Sequence, residues 1–363
     1  MYIHVPFCHK KCDYCGFYST VPAAGSVDRY LQRLIEESEY CRARCHETVN
    51  TVFVGGGNPT ALGAQGVAKL VELIETWADC SSFAEVTFET NPESLTIEIL
   101  DLLQKFSGLR ISMGVQRLAD EELELLGRQA RLDSVYRALD LACSRLDNVS
   151  VDLILGVPGC QPVAGQLEAL VRRFDLKHVS AYFLTVEDDT PLQRRILAGE
   201  LQNPSEIGPE ELYLVREVLL KNGFEHYEIS NYARPGYRCQ HNLNYWQAGN
   251  YIGLGPSAVS CCNSCRSANV PDLELWLAGA LPEIENLSET ERRNEFVMLS
   301  LRLLLDGLDL GSLQRRFGPQ PNEFSAALQA QLTAGNLWRS GDRVCLSDAG
   351  LAVADNVMAS LFI

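Results

Sequence analysis

The chain has 363 residues, carries a formal net charge of −16 and is 46% hydrophobic. This length suits one large barrel plus an appendage, and the composition is that of a folded globular protein. Proteins that bind nucleic acids generally need an excess of Lys and Arg to neutralise phosphates, so the negative balance argues against a nucleic-acid partner.

The cysteine content and the first residues bear on the cellular compartment. There are 13 cysteines, and the chain opens with MYIHVPFC, which lacks the basic segment and apolar core of a secretion signal. No run approaches the roughly 20 apolar residues of a membrane-spanning helix. We therefore expect a cytoplasmic protein without a transmembrane segment, whose thiols are reduced and partly used as metal ligands.

Six short apolar runs alternate with longer amphipathic segments over the first two thirds of the chain. The sequence predicts strands at 2–5, 51–54, 85–88, 110–115, 149–155 and 178–184. It predicts helices at 27–45, 63–78, 94–106, 119–128, 133–145 and 162–174. Strands that alternate with helices form parallel βαβ units. Six such units in series predict an α/β fold, specifically a partial (β/α)6 TIM-like barrel.

The pattern changes near Pro235, and the remainder predicts a smaller, mainly α-helical domain. Helices at 311–317 and 323–334, followed by a short strand pair at 337–339 and 343–346, are typical of a winged-helix-like unit. We expect the barrel to span 1–235, a connecting segment to span 236–280 and the C-terminal domain to span 281–363.

A CxxxCxxC motif, formed by Cys8, Cys12 and Cys15, comes just after the first predicted strand. Iron–sulfur clusters are normally held by four cysteine thiolates, so three leave one iron of a [4Fe–4S] cluster open. The amino and carboxylate groups of S-adenosylmethionine (SAM) can chelate such an iron. The motif also falls at the end of a strand, where barrels of this type carry their working face. A zinc site with His4 or His9 as a fourth ligand is the alternative.

The cysteine motif is followed by further strings whose order resembles one branch of the radical SAM superfamily. They are TVFVGGGNPTAL, EVTFETNPESL, RISMGVQ, ELLGRQ, VDLILGVPG, HVSAYFLTVEDDTPL, YEISNYARPGYRCQHNLNYW and YIGLGPSAVS. That branch contains the oxygen-independent coproporphyrinogen III oxidases and related haem chaperones. The resemblance implies a radical SAM barrel, a [4Fe–4S] cluster on the three cysteines, and cleavage of SAM to a 5′-deoxyadenosyl radical.

The resemblance also assigns SAM contacts, and several of these residues have a simpler explanation. The planar fork of Arg128 suits a carboxylate, but an arginine there could be a solvated helix-end cation. Asp152 interrupts an apolar run, where an acid is costly unless it serves a partner. Three successive glycines could bring the backbone close to a ligand or form a plain turn. The implied SAM set is Tyr2, Gly55, Gly56, Gly57, Asn58, Glu89, Gln116, Arg128 and Asp152.

Three features favour the haem chaperones of this branch over the oxidases. The oxidases usually carry a fourth cysteine where this chain has Phe17, and an extension before the first strand. His241 begins an HNxxYW string associated with the chaperones. Its imidazole could ligate haem iron, or it could be a satisfied buried histidine.

We therefore expect a protein that binds haem as cargo, passes it to acceptor proteins and receives electrons from a donor. The alternative is an oxygen-independent coproporphyrinogen III oxidase, which would convert coproporphyrinogen III to protoporphyrinogen IX. SAM cleavage is expected in either case.

Some residues depart from the family pattern or lie outside it. Arg117 stands where the family usually has Ser, and Asn58 stands where Thr is common. A group of cysteines near the domain junction could form an auxiliary cluster or a zinc site, although free cysteines are more often small buried apolar residues. Its members are Cys239, Cys261, Cys262 and Cys265.

Overall fold

A computed structural model describes residues 1–45 and 47–363. Six parallel strands follow one another along the first half of the chain, as the apolar runs predict. They are β1 (Tyr2–Val5), β2 (Thr51–Gly56), β3 (Glu85–Thr90), β4 (Leu109–Gln116), β5 (Val149–Leu155) and β6 (His178–Phe183). In the sheet they lie in the order β6-β5-β4-β3-β2-β1, so neighbours in sequence are neighbours in space.

Helices connect these strands and cover one face of the sheet. They are α1 (Ser26–Arg42), α2 (Gly63–Glu75), α3 (Ile97–Leu103), α4 (Asp120–Leu125), α5 (Leu132–Cys143) and α6 (Ala164–Arg173). Leu70 of α2 and Leu139 of α5 are fully buried in the main core. Parallel strands require such crossover helices. The predicted α/β fold with a partial six-unit barrel is thus confirmed.

The third helix begins later than predicted. The Thr96 side chain accepts a hydrogen bond from the Ile99 N–H at 3.2 Å and so caps the first turn. The preceding residues, from Asn91, form a loop at the end of β3. This loop lies at the functional end of the barrel.

The segment after β6 extends the sheet at both edges. It contains α7 (Pro191–Leu197), α8 (Glu210–Lys221), β7 (Glu225–Glu228), β8 (Asn231–Ala233), α9 (Gln240–Trp246) and β9 (Gly253–Leu254). Strand β8 pairs antiparallel with β6, and β9 pairs parallel with β1. Within the described ranges, β7 and β9 are the outer strands of a nine-stranded sheet, so the barrel is open.

Two smaller sheets complete the fold. The first contains β10 (Val259–Cys262), β11 (Cys265–Ala268) and β12 (Glu283–Asn286), and α10 (Leu273–Leu277) lies between the last two in sequence. The C-terminal part contains α11 (Glu289–Leu301), β13 (Leu308–Asp309), α12 (Leu310–Phe317), α13 (Asn322–Thr333), β14 (Leu337–Ser340), β15 (Arg343–Leu346), α14 (Asp348–Leu351) and α15 (Ala354–Ala359). It has its own core, in which Leu313 and Phe324 are buried.

The C-terminal part has the predicted order of two helices followed by a strand pair. Upstream of it, Leu273 and Trp276 of α10 are buried in the barrel core, so this helix packs on the barrel. The domain boundaries at 235 and 280 stay predictions. Among the helices that the structure describes, none is both long and apolar enough to cross a bilayer.

Candidate functional site

Three cysteines in the loop after β1 open onto one cavity inside the barrel. Cys8, Cys12 and Cys15 line this cavity, whose volume is about 450 Å³. The loop is anchored by the Asp13 N–H, which donates to the Leu126 carbonyl at 3.1 Å. Burial raises the pKa of the Cys8 thiol to about 11 and also raises the pKa of Cys15. Thiolates at these positions therefore need a positive centre nearby, such as a metal cluster.

The surroundings of the motif bear on the zinc alternative. Among the described residues, no three His, Cys, Asp or Glu side chains are gathered so that they could hold one metal ion. Each cysteine of a [4Fe–4S] cluster ligates a different iron, so the sulfurs need not converge on one point. His4 is also engaged, with Nδ1 3.0 Å from the Tyr2 hydroxyl and Nε2 2.9 Å from the Tyr18 carbonyl. The geometry does not support His4 as a zinc ligand.

Arg128 lies beside the cysteine loop and faces the cavity. Its Nη2 donates to the Gly114 carbonyl at 2.7 Å and to Asn91 Oδ1 at 2.9 Å, and its Nη1 lies 3.5 Å from Cys12 Sγ. The side chain is buried, and its Nε has no hydrogen-bond partner within the described part of the chain. A guanidinium that is fixed from one side keeps donors available for a carboxylate ligand.

Close packing requires glycine at two positions of the loop at the end of β2. Gly56 has φ +104°, and a Cβ there would lie 2.5 Å from the His4 ring. A Cβ on Gly57 would lie 2.7 Å from the Phe7 carbonyl oxygen. Both glycines line the cavity, and the Gly56 N–H donates to Glu89 Oε2 at 3.1 Å. The loop therefore brings bare backbone to the cavity wall, which a side chain would prevent.

Two half-buried carboxyl groups, Glu89 and Asp152, face the same cavity. Burial, with a further contribution from Asp152, raises the pKa of Glu89 to about 8. Burial also raises the pKa of Asp152, although Ser112 Oγ lies 3.1 Å from each of its oxygens and stabilises the anion. Like charges in one desolvated site disfavour double ionisation. The site therefore favours a ligand that brings a positive charge or hydrogen-bond donors.

Gln116 ends β4 in a strained conformation and lines the cavity. Its φ is +68°, and the pairing of β4 with β5 shifts register between Gly114 and Gln116. A non-glycine residue in this region of φ costs about 1–3 kcal/mol and is found preferentially at functional sites. A Cβ on Gly114 would lie 2.9 Å from Gln116 Nε2, so the small residue leaves room for this side chain.

Three predicted SAM residues lie behind the cavity wall and do not line it. Tyr2 hydrogen-bonds to His4, as described above. Asn58 is buried, and its Nδ2 donates to Ser94 Oγ at 2.9 Å. A Cβ on Gly55 would lie 2.6 Å from Glu89 Oε2, so this glycine leaves space for Glu89. These residues pack against groups behind the cavity wall, and their assignment as SAM contacts stays a prediction.

Comparisons with known proteins agree with this architecture. A family model described as Radical SAM superfamily matches residues 2–160, and one described as HemN C-terminal domain matches residues 287–353. The heme chaperone HemW of Mycobacterium tuberculosis is 36% identical to this chain, over 99% of the chain and 94% of the relative. This chain belongs to the HemW family. HemW of Lactococcus lactis is 30% identical over 98% of the chain and 95% of the relative. The predicted branch of the radical SAM superfamily is confirmed.

A solved structure extends the comparison to the fold. Coproporphyrinogen III oxidase (HemN) from Escherichia coli, a radical SAM enzyme, matches with a TM-score of 0.82 over 99% of this chain and 89% of that chain. The sequence identity is 21%, so the match establishes the shared fold and leaves function to the site residues. Membership of the radical SAM superfamily implies a [4Fe–4S] cluster and SAM.

In this HemW-family chain, His241 is buried in α9 and both of its ring nitrogens are engaged. Nδ1 lies 2.9 Å from Thr51 Oγ1, and Nε2 lies 3.1 Å from the Tyr245 hydroxyl. Burial lowers the pKa of His241 well below its ordinary value, so the imidazole is neutral at pH 7. Cys239 and Asn242, its neighbours in sequence, line the cavity, whereas His241 lies behind them. Iron ligation through Nε2 would require the Tyr245 hydroxyl to move away.

Arg117, where the family usually has Ser, is a structural residue outside the cavity lining. The fully buried side chain donates from Nε to Glu122 Oε2 at 2.8 Å and from Nη1 to Glu211 Oε1 at 2.9 Å. It also donates to the carbonyls of Ile154 and Gln161. It thus ties the loop after β5 to α8, and this departure from the family leaves the cavity intact.

The cysteines near the domain junction lie in two different places. Cys262 and Cys265 face each other across the β10–β11 hairpin and are exposed. Cys239, the expected fourth ligand, is buried at the barrel cavity, where its Sγ lies 3.2 Å from Glu85 Oε1. Within residues 1–45 and 47–363, no group of three metal-ligating side chains is present there.

Several polar residues that line or border the cavity were not among the predicted site residues. Asn91, which orients Arg128, precedes the helix predicted at 94–106 and was not among the predicted site residues. Arg110 and Ser112 line the cavity from β4, and Ser180 lines it from β6. In β4, polar or small residues recur at every second position, from Arg110 to Gln116. This period of two, in an otherwise apolar strand, could have identified the face that lines the cavity.

Proposed function

We propose that this protein is a haem chaperone of the cytoplasm that binds haem and passes it to acceptor proteins. Its near full-length similarity to proteins named heme chaperone HemW supports this function. The structural observation that carries it is the position of α9. This helix bears the HNxxYW string, and its residue Asn242 and the preceding Cys239 line the cavity onto which the three motif cysteines open. One compact region could thus serve haem, SAM and a cluster together.

The proposed cluster ligands are Cys8, Cys12 and Cys15. When bound, the cluster supplies the electron for reductive cleavage of SAM. Arg128 Nη1 lies 3.5 Å from Cys12 Sγ and so provides a positive charge that stabilises a thiolate. The half-buried loop limits access of water, and its anchor to the Leu126 carbonyl fixes the spacing of the sulfurs.

The proposed SAM site extends from the cluster loop down the cavity wall. Arg128 receives the SAM carboxylate, because its fork is fixed with donors free. The backbone at Gly56 and Gly57 meets the amino end of SAM, and Glu89 accepts from the ammonium or the ribose hydroxyls. The remaining members are Gln116 and Asp152 at the wall, and Tyr2, Gly55 and Asn58 behind it.

His241 is the proposed haem ligand, and the Tyr245 hydroxyl lies 3.1 Å from its Nε2, the nitrogen that would coordinate iron. A neutral hydrogen bond contributes only about 0.5–1.5 kcal/mol net, so a metal bond can replace it. Thr51 would keep Nδ1 occupied and so hold the ring in the tautomer and orientation that present Nε2. The haem iron would thus exchange with the hydroxyl of Tyr245.

An electron donor and haem acceptors are the proposed protein partners. Lys10 and Lys11 are exposed between two of the cluster cysteines, although the chain as a whole has a net charge of −16. A local basic patch beside the cluster would attract an acidic electron donor. The overall negative charge supports the expectation that no nucleic acid is bound.

Oxygen-independent coproporphyrinogen III oxidase is the second candidate, because the HemN fold match covers nearly the whole chain. Phe17 stands where the oxidases usually carry a fourth cysteine, and it is 70% exposed. The test is an anaerobic incubation of the cluster-reconstituted protein with coproporphyrinogen III, SAM and a reductant, beside a haem titration. A chaperone binds haem at about one per chain and forms no protoporphyrinogen IX. Product formation with repeated turnover would overturn the proposal.

A further inference from the structure

Arg110 is a buried cation whose guanidinium is left without partners. It lies on β4, is 2% exposed and lines the cavity. In the part of the chain that the structure describes, its Nε and Nη1 have no hydrogen-bond partner. Buried polar groups are nearly always paired, and an unpaired buried donor carries a desolvation penalty. This guanidinium is therefore a candidate for pairing with a ligand.

Arg117 is a buried arginine with a structural role in the same protein, and it provides a comparison for Arg110. All three of its guanidinium nitrogens donate, to two carboxylates and to two backbone carbonyls. Arg110 is equally buried but lines a cavity and leaves Nε and Nη1 free. This difference in hydrogen bonding indicates that the free donors of Arg110 serve to bind a group that enters the cavity.

Two of the groups whose charges act on Arg110 are the acids Glu85 and Asp152, and both also accept hydrogen bonds from other groups. Glu85 accepts from the backbone N–H groups of Gln240 and His241 at 3.0 and 3.2 Å and so caps α9. Asp152 accepts from Ser112 through both oxygens. These carboxylates keep the site electrically balanced without saturating the guanidinium.

Arg110 is also well separated from the proposed site of the SAM carboxylate. Arg128 contacts the carbonyl of Gly114, four residues after Arg110 on the same strand. At about 3.3 Å per residue, four residues of strand span roughly 13 Å. The backbone positions that hold the two side chains are thus well apart, and we assign the two arginines to different ligand groups.

We propose that Arg110 forms the centre of a carboxylate-binding subsite at the floor of the cavity, next to α9. The naming of the ligand rests on the proposed function: the carboxylate is a propionate of haem. The cavity of about 450 Å³ lies in the lower half of the roughly 300–1,000 Å³ typical of small-molecule sites, so it suits SAM together with one short arm of a larger molecule. A carboxylate of a second amino-acid ligand is the other source of the same chemistry.

The test compares haem with its dimethyl ester, in which both propionates are neutral. The cluster-reconstituted full-length protein is titrated anaerobically with each, as wild type, Arg110→Met and Arg110→Lys. Wild type should prefer haem by about tenfold to a hundredfold, the size of a charge-assisted hydrogen-bond pair. Arg110→Met should lose this preference, and Arg110→Lys should retain part of it. Arg117→Lys is the matched control, because it alters a buried arginine and should leave the preference unchanged.

A second measurement separates this subsite from the haem function. Thermal unfolding of wild type and Arg110→Met is followed with sodium propionate and with propionamide at matched salt. Stabilisation by propionate alone, lost in the variant, supports the carboxylate subsite even if haem does not bind. Equal affinity of wild type for haem and ester would overturn the subsite while leaving the haem function standing. A variant that loses SAM affinity but keeps the ester preference would assign the carboxylate to SAM and also overturn it.

Discussion

The Tyr245 hydroxyl lies 3.1 Å from Nε2 of His241, one helical turn away on α9. The two rings meet edge to face, with centroids 5.0 Å apart. The spacing of the HNxxYW string produces this contact, because residues four apart share one face of a helix. The tyrosine thereby occupies the nitrogen that haem iron would need if His241 is the ligand, as proposed above.

The cluster ligands can be tested by single substitutions. Cys12→Ser in the reconstituted protein should lose nearly all cluster absorbance and bound iron, because a hydroxyl is a poor replacement for a thiolate. Cys262→Ser, on the exposed β10–β11 hairpin, is the matched control and should retain both. Iron and sulfide analysis with absorbance spectroscopy provides the measurement. Full iron content in Cys12→Ser would contradict the assignment.

Arg128 should determine SAM affinity through its fork. We expect Arg128→Lys to weaken SAM binding by about 1.5–3 kcal/mol, because a lysine keeps the charge but cannot form the same paired hydrogen bonds. Exposed Arg131→Lys serves as the control and should bind SAM as wild type does. Isothermal titration calorimetry of the reconstituted proteins measures the difference. Unchanged affinity in Arg128→Lys would remove this residue from the SAM site.

The raised pKa of Glu89 predicts how the free energy of unfolding depends on pH. Its pKa is raised to about 8 by burial, above an unfolded value of about 4.3. Between the two pKa values, the folded state binds a proton on Glu89 that the unfolded state does not. This proton's contribution to folding stability is complete below the unfolded pKa and is lost as pH rises through about 8. The free energy of unfolding should fall over this window by at most about 1.4 kcal/mol per pH unit relative to Glu89→Gln. Urea unfolding of both proteins at several pH values tests this, and parallel profiles would refute it.

Arg117 should matter for stability and little for the cavity. Its removal leaves Glu211 buried without its cation, so Arg117→Met should lower the free energy of unfolding by about 3–5 kcal/mol. Exposed Arg137→Met should change it by less than about 0.5 kcal/mol. Denaturant unfolding measures both variants. If Arg117→Met were as stable as wild type, the four hydrogen bonds of this side chain would make no net contribution to the free energy of unfolding.

The sequence predicted the elements well where hydrophobic pattern dominates. The strands of the barrel and the helix–helix–strand–strand order of the C-terminal part follow from apolar runs of the right period. The sheet formed by β10, β11 and β12 was missed, because its strands are polar and half-exposed. The helix predicted at 94–106 begins only at Ile97, and the contact of Asn91 with Arg128 is a tertiary one that local sequence does not reveal.

The candidate site was predicted in its residues more than in its geometry. The CxxxCxxC motif and the strings that follow it pointed to the cysteines, the glycine loop and the acids. Their spacing in sequence does not specify which side chains line a cavity. Tyr2 and Asn58 lie behind the wall, and Arg110 lies on it, because these positions depend on how strands curve around one another. The engagement of both His241 nitrogens likewise depends on the packing of α9 against β2.

The most direct test of the account is the haem affinity of His241→Ala and Tyr245→Phe, measured by anaerobic titration of the reconstituted protein with absorbance detection. If His241 ligates haem, His241→Ala should bind at least about tenfold more weakly, and Tyr245→Phe should bind as tightly as wild type or more tightly, because Nε2 is freed. If both variants lose affinity equally, or neither does, His241 is a structural residue of α9 and the proposed haem site is wrong.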